Sequence, residues 1–84
     1  MAHEKRLKTI DQTLRKINPH LQGKGPEVQG AVLADLVAMY FAGHHPSIRQ
    51  DAIAIWTAMM RNLIPVNEAA IFKHYGKPEG WEPN

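Results

Sequence analysis

From Pro26 to Gly43 the chain reads PEVQGAVLADLVAMYFAG, and from Pro46 to Leu63 it reads PSIRQDAIAIWTAMMRNL. The first stretch predicts a helix over 26–42: Pro26 suits a first helical position, where a backbone N–H would be unpaired anyway, and Gly43 suits a left-handed stop. The second predicts a helix over 47–63, opened by Ser47 and Gln50 as a capping box and ended by Pro65. In the first helix Val28, Val32, Leu33, Leu36, Val37, Met39, Tyr40 and Phe41 cover far more than a third of the circumference, while Gly30, Ala34, Ala38 and Ala42 form a row of small residues. In the second, Ile48, Ile55, Met59 and Leu63 make one stripe and Ile53, Trp56, Met60 and Ile64 another. Helices with apolar arcs this wide need neighbours on more than one side.

Leu7, Ile10, Leu14 and Ile17 recur at spacings of three, four and three, which predicts a narrow-striped helix over about 4–17. It begins near His3 or at a Thr9–Gln12 box, carries Glu4–Lys8 and Asp11–Arg15 pairs one turn apart, and ends before Pro19. Past Pro65, Asn67 reads as the cap of a short helix over 67–75, with Val66 and Ile71 stapled across its start and Gly76 closing it. Lys77 to Asn84 holds two prolines and a glycine and reads as a flexible tail. No segment alternates with period two. The fold expected is all-α, a compact four-helix array forming one domain over 1–76, with the second and third helices central and a flexible tail over 77–84.

The chain has 84 residues, 44% of them hydrophobic and 21% charged, the make-up of one folding domain rather than a disordered chain. The net charge of +2 is too small to declare a partner, but it is unevenly placed. Up to Lys24 there are six basic residues against two acidic, and beyond it four against six. Any electrostatic footprint therefore lies near the N-terminus. There is no cysteine, which excludes disulfides, thiolate nucleophiles and thiolate metal sites. The basic start is followed by no apolar signal region, and the longest apolar run, broken by Asp35, is far short of the roughly 20 residues a membrane span needs. A soluble, cytoplasmic protein with no membrane association is expected.

Several groups invite a chemical reading. His44 and His45, with Asp51 a turn later and His74 beyond, have the atoms of a zinc or nickel site, yet adjacent residues do not converge as histidines four apart on a helix do. They read as a polar turn, and no metal or cofactor is expected. Ser47, the only serine, lacks a nucleophile elbow and reads as a cap. Asp35 sits beside Ala31, Ala34, Ala38 and Ala42 and marks a solvent face. The Gly23-Lys24-Gly25-Pro26 run lacks phosphate-loop spacing and reads as a connector. Met39, Met59, Met60 and Trp56 read as core filler, with an adaptable Met-rich partner surface as the competing reading. Trp81, in the tail, is either a loose end or a docking anchor.

No catalytic residue is expected. A chain this short cannot cover two wide-faced helices from within one copy, so self-association is expected, most simply as a homodimer, with Val37, Tyr40, Phe41, Ile53, Trp56 and Met60 as interface candidates. The functional expectation is a non-enzymatic helical protein-protein interaction or assembly module, its further protein partner unspecified. The alternative is a weak, non-sequence-specific nucleic-acid binder holding phosphates with Lys8, Arg15, Lys16 and Lys24.

Overall fold

In a computed structural model, residues 2–81 are described and form three helices: α1 (Ala2–Leu21), α2 (Pro26–Ala42) and α3 (Pro46–Tyr75). No described residue is in a strand. The expected four-helix array is therefore corrected to three, because the 47–63 and 67–75 segments are one helix of 30 residues that runs through Pro65. The chain divides into two units, Met1–Met39 and Tyr40–Asn84, the boundary falling inside α2.

In the first unit, α1 starts earlier and ends later than its expected 4–17 span, carrying Pro19 in its final turn. A proline there removes one N–H donor, but only His20 and Leu21 remain beyond it, so the helix closes over the defect. Its exit is built by Gly23 at a φ of 79°, a region that L side chains rarely adopt, and by Gln29 Nε2 donating to the Leu21 carbonyl at 2.9 Å. The expected Thr9–Gln12 box is not used. Thr9 lies mid-helix and its hydroxyl donates to the Lys5 carbonyl at 2.9 Å, as Thr13 does to Thr9 at 2.7 Å. Among the described residues the one ion pair is Asp11–Arg15 at 3.0 Å. The anticipated Glu4–Lys8 pair is not formed.

The second unit is organised at the turn from α2 to α3. Phe41 is the one buried hydrophobic side chain among the described residues, at 9% exposure, and it stands edge-on to Trp56 with ring centroids 5.9 Å apart. α2 has no basic residue in its last turn to satisfy its terminal carbonyls. Arg49, reaching back from α3, supplies what is missing: Nε donates to the Phe41 carbonyl at 3.1 Å, and Nη2 to Ala42 at 3.4 Å and His44 at 3.0 Å. A planar guanidinium suits this task, since it spreads several donors over adjacent acceptors and places a positive charge at the negative end of the helix. Gly43 is not among the glycines of positive φ, so the left-handed stop expected there is replaced by this clamp. The cap of α3 also differs from expectation. His45 takes that place, its Nδ1 accepting the Ser47 N–H at 3.1 Å, with Pro46 following.

Pro65 fails to end α3 because the apolar faces continue past it, from Leu63 and Ile64 to Ile71, and the helix loses only the bond to the Arg61 carbonyl. Asn67, expected as a cap, instead donates from Nδ2 to the Leu63 carbonyl at 3.0 Å. The helix stops at Gly76, at a φ of 85°, whose N–H bonds to the Phe72 carbonyl at 2.8 Å. The tail residues within the described range turn at Gly80 and set Trp81 against Phe72, ring centroids 5.6 Å apart. The rest of the expected flexible tail, 82–84, lies outside the described residues.

Two substitutions test this account. Arg49→Ala leaves the end of α2 without its donors and is expected to cost about 1–3 kcal/mol, read as a lower midpoint of thermal unfolding by circular dichroism. Arg49→Lys recovers only part of the loss, since an ammonium does not fork across three carbonyls. Pro65→Ala restores the bond to Arg61 and raises helix content and unfolding midpoint if α3 is continuous. Were Pro65 in a connector between two helices, the same change would leave helix content unaltered.

Candidate hydrophobic docking groove

A concavity lies in the second unit, along α3 and the residues that follow it. It is an open groove of about 800 Å³ whose walls include Trp56, Met60, Leu63, Ile64, Ile71 and Phe72, with Pro78 and Trp81 at its far end. That volume is within the usual ~300–1,000 Å³ range of binding pockets. Asn67 and Glu68 add polar atoms, and no lysine, arginine or histidine lines it.

The residues explain its position. At 100° per residue, Trp56, Met60, Leu63 and Asn67 fall on the side of α3 opposite Pro65. This part of the wall is therefore built of side chains that the proline ring does not interrupt. The return of the chain after Gly76 then walls one end, with Trp81 held on Phe72.

Of the interface candidates, Phe41 is buried, Val37, Ile53 and Trp56 are half-buried, and Tyr40 and Met60 are exposed. Phe41 and Trp56 pack on each other within the chain, and Trp56 and Met60 also line the groove. Of the four Met-rich residues, Met59, Met60 and Trp56 line the groove, while Met39 belongs to the other unit. With Pro65 as a helix break, Leu63 and Ile64 belong to a different helix from Ile71 and Phe72, so their shared place in the wall does not follow from the sequence.

The basic candidates Lys8, Arg15, Lys16 and Lys24 are all exposed, and Arg15 is engaged by Asp11. The histidine pair serves the α2–α3 turn. His44 Nδ1 lies 2.8 Å from the Tyr40 carbonyl, and His45 Nδ1 lies 2.8 Å from Ser47 Oγ. A serine beside an imidazole is half of a nucleophilic pair, but the same nitrogen accepts the Ser47 N–H, which makes it a cap. No group of three or more His, Asp or Glu among the described residues is placed to hold a metal ion, and no described helix is long and apolar enough to cross a membrane. Asp35 is exposed.

No protein-family model matches this chain, and comparison with curated proteins and with solved structures returns no match.

Proposed function

We propose that this chain is a non-enzymatic helical assembly module whose first partner is a second copy of itself. The observation that carries this reading is the exposure of apolar side chains. Twenty large hydrophobic residues of the described chain are 37–78% exposed, against one that is buried. They are not scattered: they follow the stripes of α1 and the wide arcs of α2 and α3, where surface apolar residues of a finished monomer would be isolated.

The amount of surface fits a copy of the same kind. A large aliphatic side chain contributes roughly 60–120 Å² of apolar area when fully buried, on the usual ~25 cal/mol per Å² scale. Half of that from each of twenty residues is on the order of 1,000 Å² per chain, beside the ~800 Å² per partner of a standard interface. Apolar area of this size, gathered on helix faces, favours association over chemistry.

The test is the mass in solution. At micromolar concentration the protein is expected to sediment as two chains, and its thermal midpoint should rise with chain concentration, since association stabilises only the folded form. A single-chain mass over the same range, with a midpoint independent of concentration, contradicts the proposal.

A further inference from the structure

α1 divides its apolar from its charged residues more sharply than either other helix, yet none of its residues is buried. Its stripe of Leu7, Ile10, Leu14 and Ile17 is 40–52% exposed. A narrow stripe along a helix is the convex half of a helix-in-groove contact, and α3 carries the concave half. The dimensions agree. The stripe extends over ~15 Å and the groove, from Trp56 to Tyr75, over ~28 Å at 1.5 Å per residue. At 100° per residue Arg6 is the charged residue of α1 that lies nearest the stripe, and the groove wall bears Glu68 and no basic side chain.

From these observations we infer that the α3 groove of one copy receives the α1 stripe of a second, and that the exchange is reciprocal about a two-fold axis. The pairing rests on the self-association reading above and names its surfaces. Groove on groove would face hollow to hollow and leave a void, which forfeits contact energy along its lining. Helix in groove fills it. Four stripe residues and about seven wall residues at each of two sites give on the order of 1,000 Å² of apolar area on the same half-exposed scale. At the ~57% apolar share typical of interfaces, the whole contact is then roughly 1,800 Å², inside the ~1,200–2,000 Å² range of stable complexes.

Opposite charges placed on the two faces test the pairing. Leu14→Lys on α1 and Leu63→Glu in the groove introduce good helix formers at exposed positions, and circular dichroism of each variant reports its helix content. Each variant alone is expected to lose the two-chain species in sedimentation at tens of micromolar, because every site then holds an unpaired charge against an apolar face. An equimolar mixture is expected to regain it, since a mixed pair has one unaltered site and one in which lysine meets glutamate. A variant that keeps the two-chain mass by itself shows that its face is not in the interface and overturns the inference. So does a mixture that stays at single-chain mass, which shows that like faces pair with like. In both cases the unaltered protein remains a dimer, so failure of this pairing is distinct from failure of self-association, which appears as a single-chain mass of the unaltered protein.

Discussion

A helix hides one stripe, roughly 100° wide, for each neighbour it packs against, and this limit governs the whole molecule. At 100° per residue, the apolar positions of α3 from Ile48 to Ile64 span about half its circumference. Those of α2 span more than a third. Three helices offer few faces to meet such arcs, and among the described residues a single side chain, Phe41, is buried. Apolar surface left in water is not neutral. Its burial is what would drive the self-association proposed above.

Within that constraint, the one place where the described chain completes its own packing is the α2–α3 turn. Two demands meet there. The terminal carbonyls of α2 need donors, and the ring of Phe41 needs cover. Arg49 answers the first and Trp56 the second, both from the opening turns of α3. Because Trp56 also begins the groove, the turn that anchors α3 holds one end of the surface proposed to receive a partner helix.

Helical class and the span of α2 were legible from periodicity alone, since apolar residues recur at helical spacing and Pro26 marks the start. The number of helices was not. Proline statistics say that Ile64 is pushed from the α region, but a penalty of about 3 kcal/mol is outweighed when the apolar face continues on both sides of the proline. The same competition lets α1 run past Pro19. Side-chain caps were misread for a related reason: Thr9 and Asn67 have the chemistry of helix starts, yet within a longer helix each bonds the carbonyl four residues before it. The shortage of internal cover was legible in the width of the arcs. The groove was not, because it depends on α3 running on through Pro65 and on the return of Trp81 to Phe72, and neither follows from composition or spacing.

The proposed self-association specifies which methyl groups touch. An isotope-filtered nuclear Overhauser experiment on a mixture of labelled and unlabelled copies observes only contacts between chains, and so addresses it most directly. The account predicts intermolecular cross-peaks from the Leu7, Ile10, Leu14 and Ile17 methyls to those of Met60, Leu63 and Ile71. A spectrum with no intermolecular cross-peaks from any of these methyls, at concentrations where the sample is fully folded, would contradict it.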